Sequence, residues 1–149
     1  MLSLPVSEFI PHSEPMVLID RVLDFDRNQL KAEVTITELS RFFDPELQGV
    51  ENLVAIEYMA QSVAALAGVR SRLNDQPVKL GFLLGTRKMV LNSSAFELGH
   101  SYQVHVEELY MDDSGLGSFQ CEIRCDDTIV AEAKLNVFET NDENQLLTN

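Results

Sequence analysis

The run from Leu53 to Gly68, Leu-Val-Ala-Ile-Glu-Tyr-Met-Ala-Gln-Ser-Val-Ala-Ala-Leu-Ala-Gly, limits what this chain can fold into more than any other stretch. It is long enough for a helix and too long for one strand. Only Glu57, Tyr58, Gln61 and Ser62 interrupt its apolar character, so it reads as a helix buried on nearly every side. A fold built around it must supply a large apolar surface to cover it. The single carboxylate, Glu57, must then be hydrogen-bonded, neutralised or used in chemistry. Gln61 follows four residues later on the same helical face, where its amide can orient or desolvate that carboxyl.

The remaining chain supplies the cover. Val17 to Phe25 is rich in β-branched and aromatic residues, and Leu30, Ala32, Val34 and Ile36 alternate with polar residues after a turn at Asp26 to Asn28, which predicts a hairpin. Ser40 to Val50 reads as a loop leading to the helix, with Asn52 as its N-cap. Arg70 and Arg72 suit the negative end of the helix dipole. From Lys79 onward the period is two. Leu80 to Gly85 contains two glycines, consistent with close approach to the helix or a ligand, or with a bend. Tyr102, Val104 and Val106 share one face, His105 takes the other, and a phase shift near Glu107 and Glu108 predicts a bulge. Phe119, Cys121, Ile123 and Cys125, then Ile129 to Val137, form two long strands joined through Asp126-Asp127. The order strand, strand, long helix, then about four strands predicts an α+β domain in which a curved antiparallel sheet wraps one central helix. An exposed sheet edge predicts dimerisation. The domain is expected over residues 1–138, with 139–149 a polar, frayed tail.

Charge narrows the partners. The chain of 149 residues carries a formal net charge of -13, which opposes binding to nucleic acid. Met1-Leu-Ser-Leu-Pro has no basic residue ahead of an apolar run, and Glu57 and Gln61 interrupt the helix, so a soluble cytoplasmic protein without membrane insertion is expected. Cys121 and Cys125 would lie about 13 Å apart on one strand face, beyond disulfide or shared-metal reach, and read as core-filling thiols. No cofactor or metal is expected. His12, held between Pro11 and Pro15, reads as a structural hydrogen-bonding group or a catalytic base.

Pro11-His-Ser-Glu-Pro-Met-Val-Leu-Ile-Asp-Arg-Val22, followed across a hairpin by Ile56-Glu-Tyr-Met-Ala-Gln61, resembles the hotdog-fold beta-hydroxyacyl-acyl carrier protein dehydratases. Gly81-Phe-Leu-Leu-Gly-Thr-Arg-Lys88 and Ala133-Lys-Leu-Asn-Val-Phe138 are similar to the dehydratase-like subunit of aryl polyene gene clusters. The resemblance covers roughly residues 4–138 and implies a helix carboxylate working with a His from the facing subunit, in a tunnel at the dimer interface. Glu57 matches that carboxylate and Gln61 the family's helix glutamine. The family's loop His is missing: Phe42-Phe-Asp-Pro-Glu-Leu-Gln48 stands in its place, with Phe43 near the His position. The family's glycine near the helix start also has no aligned counterpart, with Asn52 at its spacing and Gly49 three residues earlier.

The resemblance implies a dehydratase acting on carrier-protein acyl thioesters, with Glu57, Gln61 and His12 as catalytic candidates. Phe43, Gly49, Val50, Asn52, Tyr58, Phe82 and Gly85 are the candidates for holding substrate. Two other readings stay open: a thioesterase whose helix carboxylate activates water, and a non-catalytic subunit of a heterodimeric dehydratase. Homodimer and heterodimer are both open. Acyl carrier proteins are acidic, so docking requires a local basic patch, for which Arg70, Arg72, Lys79, Arg87 and Lys88 are the candidates.

Overall fold

The computed structural model describes residues 5–6, 17–76 and 80–140. His12 and Lys79 lie outside the described residues. The expected hairpin is present as β1 (Arg21–Phe25) and β2 (Gln29–Thr35), paired antiparallel. Its turn is closed by Asp26, whose Oδ1 accepts the amides of Asn28 and Gln29 at 2.8 and 3.0 Å. A short chain then forms β3 (Phe43–Asp44) and β4 (Gly49–Glu51) before a 3-10 turn at Asn52–Val54 and the helix α1 (Ala55–Leu73). Five strands follow: β5 (Leu80–Leu91), β6 (Ala95–Glu97), β7 (Ser101–Met111), β8 (Leu116–Cys125) and β9 (Thr128–Thr140). The last of these runs through Glu139 and Thr140, two residues into the segment expected to fray.

The main sheet has six antiparallel strands in the order β1-β2-β7-β8-β9-β5, and α1 packs on one of its faces. The alternation read from the sequence selects that face. Leu30, Ala32, Val34, Val104, Val106, Phe119, Cys121, Ile123, Ala131 and Leu135 are all closed to solvent and meet Met59, Val63, Leu66 and Val69 of the helix in one core. Each large buried aliphatic side chain contributes about 1.5–3 kcal/mol relative to exposure. Asn52–Leu73 is long and apolar enough to cross a membrane, yet most of it is buried in this core. The bulge expected in β7 is present, between Glu108 and Tyr110.

A second, three-stranded sheet, β3-β4-β6, was not expected from the sequence. It sits at the helix start and requires Gly49, because a Cβ there would strike the Phe96 carbonyl oxygen. Asn52 is not the helix N-cap. It sits in the 3-10 turn, and its Nδ2 donates to the Ser93 carbonyl at 3.0 Å, so it ties the helix start to the segment before β6.

Candidate active site on the open flank of the helix

Twelve residues of α1 are buried, but Glu57 is exposed, which corrects the expectation of a buried carboxylate. The sheet covers the helix on one side, and the flank carrying Glu57, Ala60 and Ala64 is left open. Here Glu57 lines a recess of about 150 Å³ with Ala60, Val63, Ala64 and Ala67 of α1, Gly81, Phe82 and Leu83 of β5, and Val137 and Glu139 of β9. The alanines keep the helix surface low, so the recess is a shallow apolar trough beside a carboxylate. That is the combination needed to lay an acyl chain along a wall and hold an acid or base at the functional carbon.

Gln61 has turned away from solvent and is 1% exposed, with its Oε1 accepting the Leu18 amide at 2.7 Å. This amide oxygen clamps the chain just ahead of β1. Tyr58 points into the core, edge-on to Phe96 with ring centres 5.1 Å apart, and burial pushes its hydroxyl pKa far above the ordinary value. It also borders a larger cleft of about 630 Å³ with Asp20, Thr35 and Arg41.

The other residues expected to hold substrate fall in three places. Phe82 belongs to the trough. Phe43 packs against the core, Val50 is wholly buried, and Gly49 and Asn52 build the base of the helix, so these four shape the site from behind. Gly85 lies outside the trough lining, and a Cβ at Gly81 or Gly85 would meet nothing within 4 Å. Close approach to the helix does not explain these glycines. The register shift between Leu83 and Gly85 supports the bend instead.

No histidine lines the trough among the described residues. His105 projects from the outer face of the sheet, its Nε2 2.7 Å from Gln29 Oε1. His100 lies 3.4 Å from Glu97 and 3.8 Å from Cys125 Sγ. Burial, reinforced by the charges of Asp126 and Glu97, raises the Cys125 thiol pKa, so this cluster does not make an activated nucleophile. Cys125 is only half-buried, whereas Cys121 fills the core as expected. Among the described residues no group of three or more His, Cys, Asp or Glu could hold a metal.

The basic residues also separate. Arg70 is engaged: its Nε donates to the Arg27 carbonyl at 2.6 Å and its Nη1 to Glu108 at 3.0 Å. It fastens the helix end to β7 and is not a free docking cation. Arg72 is exposed near the same end. On the edge strand β5, Arg87 and Lys88 are exposed, and Arg87 stands directly opposite Lys134 of β9. Lys134 was missed in the sequence because it occurs singly in a long alternating strand.

Residues 4–148 match the model of the ApeP-like family, described as ApeP dehydratase. The chain belongs to this family. The dehydratase heterocomplex ApeI:P from Xenorhabdus doucetiae contains a chain that superimposes with a TM-score of 0.90 at 30% identity, covering 97% of this chain and 96% of that one. The 3-hydroxyacyl-[acyl-carrier-protein] dehydratase FabZ of Shewanella frigidimarina is 29% identical over 137 residues, covering 87% of this chain and 86% of that protein. The FabZ of Ralstonia nicotianae is 27% identical over 146 residues, covering 87% and 80%. A hypothetical thioesterase protein of Streptococcus pneumoniae superimposes at 9% identity with a TM-score of 0.63, covering 80% of this chain and 84% of that one, and speaks to the fold alone. The hotdog fold and a dehydratase-like role in fatty acid or aryl polyene biosynthesis are thereby established, and the thioesterase reading is not favoured.

Proposed function

We propose that this chain is the carboxylate-bearing subunit of a cytoplasmic dehydratase for beta-hydroxyacyl carrier-protein thioesters, completed by a second hotdog subunit that brings a histidine. The observation that carries this reading is Glu57, exposed at an apolar trough that no described histidine reaches. Dehydration removes a proton from the carbon next to the thioester and expels the neighbouring hydroxyl as water, leaving a double bond. The proton needs a base, and Phe43, packed against the core near the family's His position, cannot supply one. Glu57 donates a proton to the leaving hydroxyl while a facing histidine takes the carbon-bound proton. The 3-10 turn that leads into the helix has no side-chain cap, so amides at the start of that turn are the donors that would polarise the thioester carbonyl. Gln61 positions the chain at Leu18, just ahead of β1, and in this reading is not itself in contact with substrate. The acyl chain follows Ala60, Ala64, Phe82 and Leu83. The ApeI:P complex, described as a heterocomplex, supports a partner that differs from this chain.

The test is dehydration of a beta-hydroxyacyl carrier-protein thioester by this chain assembled with a histidine-bearing hotdog subunit. Glu57→Gln in that assembly should keep the fold and lower turnover by at least ~100-fold, within the range contributed by a positioned acid or base. Unchanged turnover would remove Glu57 from the mechanism.

A further inference from the structure

Glu139 breaks the apolar row that β9 turns towards the helix. Ala131, Ala133, Leu135 and Val137 occupy alternate positions and are all buried, and the next position of the same parity is Glu139. The pairing with β5 is unbroken here, with Leu83 across from Val137 and Gly81 across from Glu139, so no bulge turns the side chain to the other face. Glu139 is half-buried, and its Oε1 is closed to solvent. Its backbone is fixed as well. The Glu139 amide donates to the Gly115 carbonyl at 2.9 Å, and Gly115, with φ of +98°, has no Cβ to strike the Glu139 carbonyl oxygen in return. Across the pair, a Cβ at Gly81 would meet nothing within 4 Å, so the wall beside Glu139 is open.

Glu139 and Glu57 line the same trough from different ends. Glu57, Ala60, Ala64 and Ala67 follow one another along the helix over about 15 Å. The chain leaves the far end of that helix tightly, with the Gln76 amide on the Ser71 carbonyl at 2.8 Å, and β5 begins at Leu80. Gly81, the second residue of β5, therefore lies towards the Ala67 end of the trough, and Glu139 lies with it. An acyl chain whose reacting carbons sit at Glu57 runs past the alanines towards Glu139. A hydrocarbon end would there meet a carboxylate and strip its water at a cost, whereas an end carrying a hydrogen-bond donor would be bound. A site that hydrogen-bonds a ligand hydroxyl rejects an analogue lacking it more strongly than an apolar pocket rejects a change in length.

We infer that Glu139, with the opening left by Gly81, is a specificity-determining residue that selects acyl chains whose far end bears a hydrogen-bond donor over chains that end in a methyl group. The assignment rests on the dehydratase reading above for where the reacting carbons sit. The test uses this chain assembled with the histidine-bearing subunit, as wild type, Glu139→Leu, Glu139→Gln and Gly81→Val, each checked by thermal melting. Calorimetric titration with unreactive beta-hydroxyacyl-pantetheine amides, in a length series ending in methyl or in hydroxyl, reads binding. Dehydration of the matching carrier-protein thioesters reads kcat/KM. Wild type should prefer the hydroxyl-ended member by about tenfold or more once the chain is long enough to reach Glu139, and show no preference among short chains. Glu139→Leu should reverse the preference, and Glu139→Gln, which keeps an acceptor, should retain it. Gly81→Val should weaken long chains of either kind relative to short ones. Equal affinity of wild type for the two ends, including binding of neither, or a preference that survives Glu139→Leu, would overturn the assignment. If Glu139→Leu does not fold, the wild-type preference and Gly81→Val decide. An assembly that binds with the preference but does not dehydrate would count against the catalytic reading and leave Glu139 standing, and dehydration without the preference would do the reverse.

Discussion

Asp20 shows how the site region tolerates an unfavourable charge. Its Oδ2 accepts the Thr35 amide at 2.6 Å, which favours the carboxylate. Although the residue as a whole is exposed, partial desolvation of its carboxyl beside the cleft outweighs this and, with the nearby Glu33 charge, holds its pKa above the usual 3.8. A carboxyl whose folded pKa lies above its unfolded value costs stability above the folded pKa, and the cost disappears below the unfolded one. Asp20→Asn keeps an acceptor for Thr35 and removes the charge. It should therefore raise the melting temperature at pH 7, with the gain shrinking as pH falls through the acidic range and absent below the ordinary carboxylate pKa. A pH series of melting curves for the two proteins checks this; a gain that grew towards low pH would reverse the sign of the argument. Asp20 escaped the sequence reading because an acidic residue before a strand carries no sign of the wall that Tyr58 and Val34 build beside it.

Among the elements, the long strands and the helix were legible because each repeats its pattern over many residues, as Leu30, Ala32 and Val34 or Phe119, Cys121 and Ile123 do. The short strands β3, β4 and β6 contain two or three residues and have no period to read. The helix misled in one respect. Apolar residues on every side predict full burial, but periodicity does not say whether the cover comes from the same chain or another, and Ala60 and Ala64 beside the exposed Glu57 are compatible with either. The edge strand β5 poses a related question. Like charges directly across a sheet repel, yet Arg87 faces Lys134 with Lys88 beside it on a bulged edge. In a chain of net charge -13, such a cluster fits an acidic partner that relieves the repulsion on docking. Replacing Arg87, Lys88 and Lys134 by Glu should weaken acyl carrier protein binding by about tenfold or more at low salt and flatten its salt dependence. The same change at Arg72 should matter less. Binding that is indifferent to the triple reversal in a calorimetric titration would move the docking surface elsewhere.

In the two-subunit reading proposed above, the absence of a loop histidine at Phe42-Phe43 and the presence of Glu57 would act in opposite directions on the two sites of a dimer. Two copies of this chain would place Glu57 of each against the aromatic segment of the other, so both sites would hold a carboxylate without its base. A partner with the histidine changes only one of them: Glu57 meets the new base, while the partner's own helix carboxylate meets Phe42 and Phe43. One site of two then turns over. This asymmetry predicts a pair of unequal mutations. In the mixed dimer, Glu57→Gln should abolish dehydration, whereas neutralising the partner's matching helix carboxylate should leave the rate within about twofold, since mutations remote from the chemistry leave transition-state stabilisation intact. This chain alone should show little or no activity. Equal losses from the two substitutions would mean that both sites work, and the base at the second would then have to come from a residue of this chain, for which His12→Ala in the same assay is the deciding variant.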